Sequence, residues 1–269
     1  MSLKEVAIVT GGAAGVGLAA AKILAKRGYI VVVSDVAVEQ GHEAVAAINQ
    51  EFGQGTAIFI ACDLGKTEEI DQLLASVVAQ FSRFSVLVNN AGYLRAPFLA
   101  ISAEQVEQTI AVNLTAPIYA TQQAIKIWND DNQGGNGDGE GAKGNVVNIT
   151  SSSSFKTHAS IAAYGAAKAG AAQFTFACRS FGPSIRVNAV APTAIATAFD
   201  KNASFRVPTD KTGPGYTPEE DMRNMGLARL QPEQVAEAAF ECIDDETRFG
   251  TVAWLDATEG QKIHTSFAG

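Results

Sequence analysis

Tyr164 and Lys168 stand four residues apart in an Ala-rich run, 160–181, whose composition predicts a helix. At that spacing a phenol and an ammonium share one helical face, a turn apart. A cation beside a phenol favours the phenolate and brings its pKa down from about 10 toward neutrality, so such a tyrosine can pass a proton at working pH. An amphipathic helix with a tyrosine on its rim and a snorkelling lysine would carry the same two residues. Other stretches of the chain bear on the choice. Thr10-Gly11-Gly12-Ala13-Ala14-Gly15-Val16-Gly17 lies between an apolar run, 6–9, and a helical pattern, 16–27. Gly11, Gly15 and Gly17 permit a tight turn and a close backbone approach to a pyrophosphate, and the helix that follows opens its N-terminal amides toward an anion. Asp35 follows the second predicted strand, 29–34, eighteen residues after Gly17. An acid there can bind the hydroxyls of an adenosine ribose, although capping the next helix, 38–52, is another use for it.

Asn89-Asn90-Ala91-Gly92, Asn113, and Ser151 thirteen residues before Tyr164 complete an ordered set. In these motifs the chain resembles the short-chain dehydrogenase/reductase family, over nearly its whole length but less closely after Pro192 and in the tail from Asp256. The resemblance implies an α/β fold of one domain, 1–269: a Rossmann-type, doubly wound, mostly parallel sheet of seven strands in the order 3-2-1-4-5-6-7, with helices on both faces. It implies that Tyr164 is the general acid/base, that Lys168 lowers its pKa and binds the nicotinamide ribose, and that Ser151 donates to the substrate oxygen. Ser152, Ser153 or Ser154 would replace Ser151 if the turn were shifted. Asn113 would sit at a local helix irregularity and order a water beside Lys168; Pro117 removes a helical hydrogen bond nearby.

The resemblance also implies a cofactor site. Gly11, Gly15, Val16, Gly17 and Asp35 would hold the adenosine and pyrophosphate, with Asp63 and Leu64 flanking the adenine; Asp63 could equally cap the helix 67–81. Asn90 would brace the central sheet while Ala91 and Gly92 line the cleft. Pro192, Thr193, Ile195 and Thr197 would surround the nicotinamide carboxamide, with Thr193 standing where the family usually has Gly. The neighbours Val36 and Ala37 are uncharged and the glycine loop offers only Ala13 and Ala14, so nothing there would neutralise a 2′-phosphate. The expected cofactor is NAD and the expected reaction is hydride transfer between NAD and a secondary alcohol or its ketone. A redox-sensing protein that binds the dinucleotide without catalysis, and a dehydratase or epimerase that retains its nicotinamide, are the alternatives on the same fold.

Composition narrows the classes further. The 269 residues carry a net charge of −8 with no Lys/Arg block, so a nucleic-acid partner is not expected. Mean hydropathy is +0.08, and no apolar run approaches the length of a membrane span. Met1-Ser2-Leu3 runs almost directly into the first strand, which leaves no room for a targeting peptide and points to a cytoplasmic enzyme. Cys62, Cys178 and Cys242 are scattered and odd in number, and His42, His158 and His264 have no ligand spacing, so neither disulfide nor metal is expected. The glycine-rich stretch 129–144 reads as a flexible insertion, and 198–230, punctuated by Pro and Gly, as a substrate lid. Ala163, Ala166, Ala167, Gly170 and Ala171 suggest a small-residue helix face for pairing into a homodimer or homotetramer.

Overall fold

The computed structural model describes residues 4–133, 143–197 and 228–267, with the backbone alone for 131–133. Strand β1 (Val6–Thr10) pairs in parallel with β2 (Ile30–Asp35) and β4 (Val86–Asn89), and β2 pairs with β3 (Ala57–Ala61). Strands β5 (Gly144–Ile149), β6 (Ile185–Pro192) and β7 (Val252–Asp256) continue the parallel sheet beyond β4. The β-branched runs of the central strands are buried on both faces, as a parallel sheet covered by helices requires.

Helices α1 (Gly15–Lys26), α2 (Val38–Phe52) and α7 (Pro232–Asp244) cover one face, where Leu24, Ile48 and Phe240 join Val9, Val33 and Leu255 in one core. Helices α3 (Thr67–Phe81), α5 (Ala116–Gln133) and the end of α6 (Ala162–Ala177) cover the other, where Ile70, Leu74, Trp128 and Cys178 pack on Ile8, Val32 and Val187. The α/β doubly wound class follows from this layering. Every parallel strand therefore ends on the same edge of the sheet, and the loops leaving that edge form one cleft.

The sheet has eight strands in the order β3-β2-β1-β4-β5-β6-β7-β8, not seven. The added strand, β8 (Gly260–His264), folds back antiparallel on β7. Asp256 makes the turn: its Oδ1 accepts from the backbone N–H groups of Thr258 and Glu259 and from the Thr258 hydroxyl, and Gly260 takes φ +76°. These bonds hold the Asp256 carboxyl down at about 2.

Other boundaries shift as well. Helix α5 runs to Gln133, past the start expected for the insertion, and β5 begins at Gly144; residues 134–142 lie outside the described residues, as do 198–227 of the expected lid. The chain around Asn113 divides into α4 (Ala103–Ile110), a π-helical turn (Ala111–Thr115) and α5. Pro117 supplies no N–H to the carbonyl four residues back, which is that of Asn113, and the widened turn falls there. The small face of α6 is also not all outward. Ala167 and Ala171 are buried, and a Cβ on Gly170 would come within 2.8 Å of Leu114 Cδ1. These residues bring α6 close to its own neighbours, leaving Ala163 and Ala166 of the five on the outer side.

Candidate active site

The glycine loop is clasped to the end of β4. Asn90 Nδ2 donates to the carbonyls of Thr10 and Gly11 at 2.9 and 3.0 Å, and Thr10 Oγ1 accepts from Asn90 N at 3.0 Å while donating to Val88 O at 3.2 Å. Gly11 has φ +62°, and a Cβ there would strike Ala91 Cα at 2.8 Å. Gly15, at φ +54°, faces Thr197 across the cleft: an added Cβ would lie 3.3 Å from Thr197 Cγ2. Gly17 is different. Its Cβ would overlap Gly11 O at 2.1 Å, so this glycine lets α1 pack against the loop and does not line the cleft.

Asp35 ties the same loop to β2. Its Oδ2 accepts from Ala13 N at 3.1 Å and its Oδ1 from Ala37 N at 3.0 Å. The N-cap of α2 is Ala37, so capping is not the use of Asp35; its carboxylate borders the cleft and makes no ion pair among the described residues. Asp63 also does not cap its helix. It closes its own turn by accepting from Gly65 N at 2.9 Å, and Lys66 is the N-cap of α3. Asp63 and Leu64 line the cleft beside Asp35, as do Val16, Asn90, Ala91 and Gly92.

On the opposite wall, Ser151 opens a one-turn 3-10 segment, 152–154, and its Oγ accepts from Ser153 N at 3.1 Å. Ser154 is not available as a stand-in, because its buried hydroxyl donates to Lys168 O at 2.8 Å; Ser151, Ser152 and Ser153 border the cleft. Tyr164, 9% exposed, packs with Leu94 and Ile161. Lys168 is 5% exposed, its Nζ donating to Ile149 O at 2.8 Å and lying 5.7 Å from the centre of the Tyr164 ring. Burial brings the Lys168 ammonium down to about 8. Pro192, Thr193, Ile195 and Thr197 close this end, with Thr193 N donating to Leu255 O at 2.9 Å. The Thr193 hydroxyl oxygen is buried without a hydrogen-bond partner.

Asn113 stands behind the wall. Its side chain clasps the loop after β4, donating to Tyr93 O at 2.6 Å and accepting from Tyr93 N at 3.3 Å, and it donates to Thr109 O at 2.9 Å. With Lys168, Asn89 and Asn148 it borders a small cavity of about 10 Å³, close to the room one water needs. Sequence reasoning missed a buried relay here. Asn89 Nδ2 donates to Asn148 Oδ1 at 2.9 Å, Asn148 Nδ2 to Thr175 Oγ1 at 3.0 Å, and Thr175 Oγ1 to Ala171 O at 2.9 Å, fixing β4, β5 and α6 to one another. Its one signal in the sequence is the asparagine at or near the end of each of two apolar strands.

The whole cleft encloses about 890 Å³. No helix among the described residues is long and apolar enough to cross a membrane, and among them no group of three or more His, Cys, Asp or Glu could hold a metal. The three thiols are buried and free, and burial raises each, Cys62 and Cys242 to about 11 and Cys178 to about 12.

The model of the short chain dehydrogenase family matches residues 5–206. A relative named Short chain dehydrogenase helC, from Aspergillus fumigatus, is 59% identical over 97% of this chain and 98% of its own. Two solved structures share the fold. A 3-ketoacyl-(acyl-carrier-protein) reductase from Brucella melitensis, complexed with NADH, aligns with a TM-score of 0.78 at 24% identity over 96% of this chain and 99% of its own. An actinorhodin polyketide ketoreductase variant with NADPH aligns with a TM-score of 0.79 at 26% identity.

Proposed function

The chain belongs to the short-chain dehydrogenase family, and from that premise we propose that it is an NAD-dependent oxidoreductase that interconverts a secondary alcohol and its ketone. The observation that carries the proposal is the convergence of Ser151, Tyr164 and Lys168 on one wall of a cleft whose other wall is the glycine loop and Asp35. The residues present fit a dinucleotide. A side chain at Gly15 would project toward Thr197 and narrow the cleft where a pyrophosphate would lie, Asp35 offers carboxylate acceptors to a ribose, and the Thr193 hydroxyl has no partner among the described residues. The ketoreductase name of the 26% identical neighbour supports a ketone as the oxidised substrate. Its NADPH does not extend to this chain, because Asp35 would repel a 2′-phosphate and no described cation pairs with it.

Bound at this site, a nicotinamide supplies or accepts the hydride. Tyr164 then moves the hydroxyl proton at its Oη, and Ser151 Oγ donates to the substrate oxygen as charge gathers there. The Lys168 cation favours the phenolate of Tyr164 and would bind the nicotinamide ribose. Asn113 sits in the π-helical turn and borders the small cavity, where a single water would lie beside Lys168. We place this chemistry in one domain of a cytoplasmic homodimer or homotetramer. A panel of secondary alcohols with NAD, read as net formation of reduced nicotinamide in step with ketone, tests the reading. Turnover with no net cofactor reduction would assign the chain to dehydration or epimerisation, and no turnover on any substrate to the non-catalytic class.

A further inference from the structure

The serine turn ends at Phe155, whose ring does not face the cleft. It packs instead on the C-terminal hairpin, with ring-centre distances of 5.6 Å to Trp254 on β7, 4.9 Å to His264 on β8 and 5.3 Å to Phe267. Phe267 in turn meets Phe176 of α6 edge-on at 5.3 Å and 82°. Lys156, the next residue after Phe155, places its Nζ 4.7 Å from the centre of the Trp254 ring. The serine turn, the helix that bears Tyr164 and the chain's last described residues thus share one aromatic cluster.

A single turn of 3-10 helix has little rigidity of its own. Among the described residues Ser151 Oγ bonds locally, accepting from Ser153 N, so the placement of that oxygen depends on how the turn is held. Its anchors include the Ser154 bond to Lys168 O, Lys156 over the Trp254 ring, and the Phe155 ring, which packs on Ala172, Ala189 and Ala191 as well as on the hairpin. We infer that the C-terminal hairpin is the support that fixes the serine turn, and that Phe155 is a positioning residue acting through Ser151. This rests on the proposed role of Ser151 for its catalytic consequence, but not for its structural one. It also gives β8 a purpose: the strand extends the sheet so that His264 and Phe267 reach the ring of Phe155.

Two measurements test it. Phe155→Ala should lower kcat by roughly 10- to 100-fold, the scale of an ångström-sized misplacement, with the NADH dissociation constant within about 2-fold of the parent. In a Ser151→Ala background the same change should cost less than about 3-fold, because a residue that acts through Ser151 has nothing left to position. Equal losses in both backgrounds would overturn the inference. Phe267→Ala is the gentler variant, since that side chain is 45% exposed. By hydrogen exchange it should speed the amides of 151–156 by about 10-fold or more while those of β1 and α1 stay unchanged. Unchanged exchange at 151–156 would contradict the inference whatever the substrate. If no alcohol or ketone turns over in the parent, the proposed function fails by itself and the exchange result still decides the role of the hairpin.

Discussion

The two walls of the cleft are held by different means. The wall formed by β1, β2 and β4 is closed by bonds to backbone: Asn90 to Thr10 and Gly11, and Asp35 to Ala13 and Ala37. Its glycines are required where a side chain would collide with a main chain, as at Gly11 and Gly17. The wall formed by β5, α6 and β6 depends on how individual side chains are placed. Lys168 reaches one carbonyl from deep burial, Thr193 keeps a hydroxyl without a partner, and Phe155 leans on the chain's end. On the proposed reading the first wall would receive the dinucleotide's pyrophosphate and ribose. The second would present Ser151, Tyr164 and Lys168 to the reacting atoms.

The largest effect should come from the second wall. Tyr164→Phe is expected to lower turnover by at least ~100-fold, the low end for general acid/base catalysis, with NADH affinity nearly unchanged. Loss of affinity in proportion to turnover would place Tyr164 in binding and erase the distinction between the walls.

How far each wall could be read from the sequence follows from the same difference. The glycine loop and Asp35 were legible because glycines between a strand and a helix, and an acid at a strand end, are patterns within a few residues, although the bonds that hold them reach Asn90 and Ala13; the π-helical turn at Asn113 was foreshadowed by Pro117. The end of β8 was not, because Gly260-Gln261-Lys262-Ile263-His264 has a single apolar residue and becomes a strand only by completing the edge of β7. The buried faces of Ala167 and Ala171 likewise depend on which way α6 is turned. The Asn89, Asn148 and Thr175 relay was hidden because no spacing rule joins residues on three separate elements.

Lys168 offers a smaller and independent test of the second wall. Its pKa is depressed by burial from 10.5 to about 8, so below pH 8 it is protonated in both folded and unfolded chains. Between about 8 and 10.5 the unfolded chain binds more protons, and stability gains with rising pH from this residue. The parent's unfolding free energy should therefore climb relative to that of Lys168→Met across this window, by up to about 1.4 kcal/mol per pH unit. Parallel curves in denaturant titrations would show that Lys168 is not held at low polarity.

The smallest effect is expected at Thr193. Its hydroxyl has no partner among the described residues and the residue borders the cleft, so Thr193→Val should weaken NADH binding by roughly 3- to 10-fold and Thr193→Ser should restore it. Tighter binding by the Val variant would leave the hydroxyl with no part in the site.

The pairing of the two walls around NAD is tested most directly by the ratio of catalytic efficiencies with NAD and NADP on one alcohol. At about 4 Å and an effective dielectric near 20, carboxylate and 2′-phosphate repel by several kcal/mol before screening. A net penalty of roughly 2 to 4 kcal/mol predicts a preference for NAD of roughly 30- to 1,000-fold in the unmutated protein. Asp35→Ala should narrow that preference, mainly by weakening NAD. Equal efficiencies with the two cofactors would contradict the assignment of Asp35 to the ribose, and with it the account of the cleft.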